Sequence, residues 1–176
     1  MRTFYYIIGA ITILLVLASM SVAIVGSFMN PEHRAEVTAT INAPPDSVFN
    51  TLTDYKNYPI WRKELLHVEM MEYHDSLQTW REYDKDKNNW AFQTVEYLAP
   101  SHLKIKIAEP KSAIQGTWTI SILPTETGSA IHIIEEGSVS NVFFRFIGRV
   151  FFSQTSTLES YLSSLASRFG QELSFN

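Results

Sequence analysis

From Phe4 to Met29 the chain carries no charged residue, and most positions are Ile, Leu, Val, Ala, Met, Phe or Tyr. No helical phase of this stretch offers a polar face, so it does not read as a buried core helix of a water-soluble domain. It is long enough to cross a bilayer hydrocarbon core of about 30 Å, which takes roughly 20 apolar residues. Two readings stay open. Small residues at Ser21-Val22-Ala23 suit cleavage of a secretory signal. Signal cores run about 7–15 residues, however, and here the apolar run continues through Ile24, Val25, Phe28 and Met29. Length favours a single-pass anchor, with residues 1–30 as the membrane segment and 31–176 as the attached domain. Arg2 flanks one end of the run, whereas the other flank, Asn30 to Glu36, has one Arg and two Glu. That small positive bias predicts the C-terminal domain on the outer, periplasmic or extracellular side. Pro31 ends the helix, so the domain sits close to the membrane surface.

The domain is acidic: all 18 Asp and Glu and 13 of the 14 Lys and Arg follow the apolar run. A nucleic-acid partner wants a basic face and is not expected. With no cysteine there is no disulfide framework, thiolate nucleophile or Cys-ligated zinc. The histidines at 33, 67, 74, 102 and 132 have no metal-site spacing. No GxSxG, P-loop or GxGxxG occurs, so neither a metal nor a cofactor is expected.

Alternation of period two marks the strands. Ala35, Val37, Ala39 and Ile41 form the first. Pro44 and Pro45 break it, and a helix with Val48, Phe49 and Leu52 on one face follows, then a short turn at Ile60-Trp61. Leu65–Tyr73, Leu77–Asp84, Trp90–Leu98, Leu103–Ala108, Gly116–Leu123 and Ala130–Glu136 read as six more strands with hairpin connections. Asn141–Phe152 is rich in aromatics. Thr155–Phe169 is a helix with Leu158, Tyr161, Leu162, Leu165 and Phe169 on its apolar face. This order predicts an α+β fold: a curved antiparallel sheet of about seven strands wrapped around the long C-terminal helix, with room for a ligand between them.

Four segments carry a family resemblance: EVTATINAPPDSVFNTLTDYKNYPIW at 36–61, GTWTI at 116–120, IIEEGSVSNVFFRF at 133–146 and TLESYLSSL at 157–165. Over roughly residues 34–170 the chain resembles the helix-grip proteins of the START-like (SRPBCC) superfamily, which includes polyketide cyclase/dehydrase and lipid-transport families. The later segments resemble a bacterial subgroup of that superfamily with an N-terminal membrane segment. The resemblance implies a cavity for a hydrophobic molecule or lipid. It implies no particular reaction, because binders, carriers, cyclases and hydrolases share the scaffold.

The adjacent Glu135 and Glu136 raise the question of an acid/base pair. Neighbours on a strand face opposite ways, so only one of them enters the interior. If Ile131 and Ile133 face inward, Glu135 does too, and Gly137 then ends the strand. Glu135 is the weak catalytic candidate, either a ligand-contacting carboxylate or a proton-transfer group. The plainer alternative is an ion pair with Arg81 or Arg145, or exposure at the strand end.

The predicted ligand-contacting set is Trp61, Trp80, Arg81, Trp118, Ile120, Ile133, Glu135, Phe144 and Phe151. For the tryptophans and isoleucines the competing reading is ordinary core packing, and for Arg81 solvent exposure. In VFFRFIGRVFF (142–152) aromatics occupy too many phases for one core face. The segment needs a second apolar partner (a bound lipid, a pocket lid or the bilayer surface, with Arg145 and Arg149 reaching head groups) or burial between sheet and helix. Three functions follow: a membrane-tethered binder of a hydrophobic molecule, a cyclase- or hydrolase-like enzyme using Glu135, or a partner-binding domain with a filled core. Oligomeric state leaves no signal in the sequence.

Overall fold

The computed structural model describes residues 2–74, 77–151 and 153–175, so Phe152 of the aromatic segment and the terminal Met1 lie outside the described residues. A long apolar helix, α1 (Arg2–Phe28), precedes the domain. The domain then runs β1 (Glu32–Ile41), α2 (Pro45–Thr53), the short α3 (Tyr58–Trp61), β2 (Leu65–His74), β3 (Leu77–Asp84), β4 (Asn89–Leu98), β5 (His102–Ile107), β6 (Ile114–Pro124), β7 (Ser129–Val139), α4 (Val142–Phe151) and α5 (Ser156–Arg168). The strands form one seven-stranded antiparallel sheet in the order β1-β7-β6-β5-β4-β3-β2. This is the helix-grip arrangement that the sequence pattern predicts.

The core forms where the inner face of the sheet meets α5. Ile120 and Ile122 of β6 and Ile131 and Ile133 of β7 are buried against Leu158, Leu162 and Leu165 of α5. Each such side chain contributes about 1.5–3 kcal/mol by leaving water. Along α5 the buried positions recur at three- and four-residue spacing, and the serines between them face out.

Two boundaries differ from the sequence reading. β7 does not end at Gly137 but continues to Val139, and β1 starts earlier, at Glu32, because the ladder between them extends to the pair Glu32–Ser138. Gly137 is tolerated inside the strand because its missing side chain leaves space for the His33 ring, which a Cβ there would strike. The segment after β7 becomes α4. The Asn141 side-chain oxygen caps it, accepting from the backbone N–H groups of Phe143 and Phe144 at 3.0 and 3.1 Å. No described side chain of α4 is buried, so the segment is not packed between sheet and long helix.

Candidate functional site: a cavity between α5 and the sheet

The inner face is fully packed at one end of the sheet only. Towards the start of β1 and the end of β7 the inner positions hold Gly116, Trp118 and Glu135, and α5 no longer fills the space. A cavity of about 390 Å³ opens there. Its apolar wall is Trp90 and Phe92 of β4, Ile105 and Ile107 of β5 and Ile114 of β6. Lys106, Gln115 and Thr157 also border it, and its remaining polar groups form two hydrogen-bonded clusters.

The first is centred on Glu135, which takes the inner phase of β7. Trp118 is its direct cross-strand partner on β6, and Ala35 is its partner on β1. The Trp118 indole N–H donates to Glu135 Oε2 at 2.9 Å. His33 Nε2 lies 3.0 Å from Glu135 Oε1. A carboxylate only accepts, so the facing imidazole nitrogen donates. His33 reaches Glu135 because it shares the inner phase of β1 with Ala35, Ala39 and Ile41 and sits opposite Gly137. Both side chains retain some contact with solvent, at 20% exposure each.

The second cluster joins α3 to β3. Arg62 donates through Nη1 to Glu82 Oε2 and through Nε to Glu64 Oε1, both at 2.8 Å. The other oxygen of Glu82 accepts from the Trp80 indole N–H at 3.0 Å. The guanidinium lies over the rings of Tyr58 and Tyr161, 5.3 Å from each centroid. Burial works to strip the Arg62 charge, but Glu82 outweighs it with help from Tyr161 and Glu64, and the pKa is raised above the ordinary arginine value. Burial raises the Tyr161 hydroxyl to about 12, with the Arg62 charge opposing. Burial likewise lifts Tyr58 well above the usual phenol range. The site therefore holds neutral tyrosines around one internally compensated ion pair.

Of the sequence-nominated residues, Trp118 and Glu135 line this cavity. Trp61 and Trp80 sit in the core instead, Trp80 stacked on Tyr55 at 3.6 Å between centroids and Trp61 edge-on to Tyr58 and Tyr161. Ile120 and Ile133 are sealed beneath α5. Arg81 points to the opposite face of the sheet, pairing with Glu109 at 2.7 Å and bonding Asn89. Among the described residues, Arg145 bonds only backbone carbonyls, at Val139, Gly26, Met29 and Ser140. Neither arginine is thus the partner of Glu135. Phe144 lies outside the main cavity, at a smaller void of about 170 Å³ beneath α4 that reaches His33, Glu135 and Thr157 from the other side. Phe151 is exposed on α4.

Sequence reasoning missed His33, Arg62, Tyr58 and Tyr161. His33 becomes visible only through register, since it is Gly137 on another strand that gives its ring a place. Arg62 follows the aromatic Tyr58-Pro59-Ile60-Trp61 turn, and its burial depends on α5 arriving from the far end of the chain.

A cavity held between a curved antiparallel sheet and a C-terminal helix defines a helix-grip ligand-binding domain. The chain belongs to the polyketide cyclase/dehydrase and lipid transport family, whose sequence profile matches residues 32–169. That family lies within the START-like superfamily. Among solved structures, the aromatase/cyclase Zhui from Streptomyces sp. R1128 superposes with a TM-score of 0.64 at 14% identity, covering 79% of this chain and 94% of that one. A START superfamily protein from Mycobacterium smegmatis gives 0.60 at 16% identity, with 78% and 97% covered. The di-domain aromatase/cyclase StfQ of the steffimycin biosynthetic pathway gives 0.62 at 15% identity. This chain, with 78% of its residues aligned, spans half of that di-domain protein. At these identities the likeness concerns the fold. No curated protein matches the chain in sequence.

Proposed function

We propose that the domain holds a hydrophobic or amphipathic small molecule, such as a lipid, in the cavity beside α5, while α1 tethers it to a bilayer. The single observation behind this is the cavity itself: about 390 Å³ of space, within the range of about 300–1,000 Å³ of small-molecule sites, walled largely by aromatic and aliphatic groups, with two hydrogen-bonded polar clusters on its lining. The family membership supports this ligand class. The length and apolar character of α1, whose one charge is Arg2 at its start, support the tether, and the flanking-charge bias favours an outer-side domain.

A second reading is enzymatic. Glu135 held by His33 and Trp118 is a carboxylate–imidazole pair at the cavity wall, able to accept and return a proton. Two of the structural neighbours named above are described as aromatase/cyclases, which supports a cyclase- or hydrolase-like reaction.

Native mass spectrometry of the full chain released from lipid nanodiscs tests both. A co-purifying adduct is expected. Gly116→Leu, which projects a side chain into the cavity from a position where a Cβ meets nothing closer than 3.4 Å, should remove it. Glu135→Gln should keep the adduct under carriage and abolish substrate turnover under catalysis. A bare mass that persists after incubation with total membrane lipid refutes carriage.

A further inference from the structure

Helix α4 is inverted with respect to water. At 3.6 residues per turn, Phe143, Phe144, Ile147, Val150 and Phe151 fall within an arc of about 120°. That arc is the exposed side of the helix, with 42%, 57%, 44%, 51% and 70% of each residue exposed, in that order, and Phe144 at its edge also borders the void beneath α4. Arg145 and Arg149 occupy the opposite side, more covered than the apolar residues, and are spent on backbone. Arg145 bonds the carbonyls of Gly26 and Met29 at the end of α1 at 3.2 and 3.0 Å, and Arg149 bonds the Glu32 carbonyl at 2.7 Å. In water this arrangement is backwards, because the charges are turned in and the aromatics out.

The position of α4 on α1 says what covers that face. Val22, Ala23 and Gly26 form the more covered side of α1, at helical spacing, and Met29 just past its end is partly covered too. Gly26 meets Val142 so closely that a Cβ would strike the Val142 carbonyl. Over its 27 residues, α1 is about 40 Å long at 1.5 Å per residue, against a hydrocarbon core of about 30 Å. With Arg2 at one boundary, about 20 residues bring the helix to the other near Val22. The last two turns, on which α4 lies, are then at the depth of the lipid head groups. A helix there with one wide apolar face outward matches an element lying in the plane of the interface.

We propose that α4 is an interfacial helix resting in the bilayer that α1 crosses, with Phe143, Phe144, Ile147, Val150 and Phe151 turned into the boundary of the acyl chains. The proposal rests on the reading of α1 as a membrane span. It places the smaller void beneath α4, bounded by Phe144, Gly148, His33 and Glu135, next to the lipid surface.

The absence of cysteine allows single-cysteine variants of the full chain to be spin-labelled cleanly. Labels are placed at Phe144, Ile147 and Phe151, with Val16 in α1 and Glu126 in the β6–β7 turn as references. The chain is reconstituted in vesicles of phosphatidylcholine with phosphatidylglycerol, and collision with oxygen is compared with collision with a water-soluble nickel chelate. At 144, 147 and 151, as at 16, oxygen accessibility is expected to exceed that of the chelate, with the order reversed at 126. Lipid-like behaviour at 16 with water-like behaviour at 144, 147 and 151 overturns the interfacial helix and leaves the tether standing. Water-like behaviour at 16 removes the tether and the interfacial helix with it. Dipolar broadening at 147 without lipid-like accessibility shows a second copy of the chain on this face and also overturns the proposal.

Discussion

Replacing Glu82 by Leu isolates the energetics of the cavity wall. Glu82 and Arg62 have side chains only 8% and 16% exposed. Removing one member of such a pair costs about 3–5 kcal/mol, because the other charge stays buried without compensation. Glu64 remains on Arg62 at 2.8 Å but is itself half exposed, so it offsets only part of that cost. The Trp80 N–H also loses its acceptor inside the core, a penalty of about 1–3 kcal/mol that overlaps the first. The expected total is about 3–5 kcal/mol. At roughly 2–4 °C per kcal/mol for a chain of this size, the melting temperature falls by roughly 6–20 °C. Near-ultraviolet circular dichroism of the aromatic cluster reads this directly. Adding Arg62→Met to Glu82→Leu should recover all but the Trp80 share, since an apolar replacement of a whole buried pair is close to neutral. A shift below about 4 °C for the single variant would mean a hydrated wall and refute the reasoning. So would a double variant no better than the single, because the orphaned charge would then not be the cause.

Two further outcomes follow from the same geometry. Gly137→Ala introduces a Cβ that meets the His33 ring and lies 2.9 Å from its Nε2; the ring should move off Glu135, and modification of His33 by diethyl pyrocarbonate should accelerate in peptide mass mapping. An unchanged rate would show that the ring does not depend on the glycine. Burial raises Tyr161 to about 12, whereas an unfolded tyrosine titrates near 10. Between those values the unfolded chain has released a proton that the folded chain keeps, so stability is full below about pH 10 and falls as pH rises towards 12. Tyrosinate absorbance should therefore show a late step, shared by Tyr55 and Tyr58, that coincides with loss of the aromatic dichroism. Ionisation of all tyrosines in one early step with the fold intact would refute it.

The sheet, the C-terminal helix and the inward phase of Glu135 were legible because each rests on local periodicity. Ile131 and Ile133 alternate with His132 and Ile134, and the more uniformly apolar side favours the phase that turns Glu135 inward. The partners of Glu135 were not legible, because they depend on register between strands far apart in sequence. Arg145 looked available to it, yet in the fold that side chain closes the end of α1. Trp61, Trp80 and Trp118 look alike in the sequence. Only the point at which α5 ceases to fill the concave face separates the two that are core from the one that lines space. The aromatic segment after β7 showed too many apolar phases for one core face, a true sign that one face of α4 is left outside the protein core.

Only Met29, Asn30 and Pro31 separate α1 from β1, a span of about 10 Å at full extension, and Arg145 ties the end of α1 to the end of β7. For a chain tethered through α1, the domain has no swinging arm. Its cavity moves only as the anchor drifts sideways, and it meets one leaflet of one membrane. A ligand held by a domain tethered in this way would not cross an aqueous gap with it and would pass only to a molecule that diffuses up to it in the same plane.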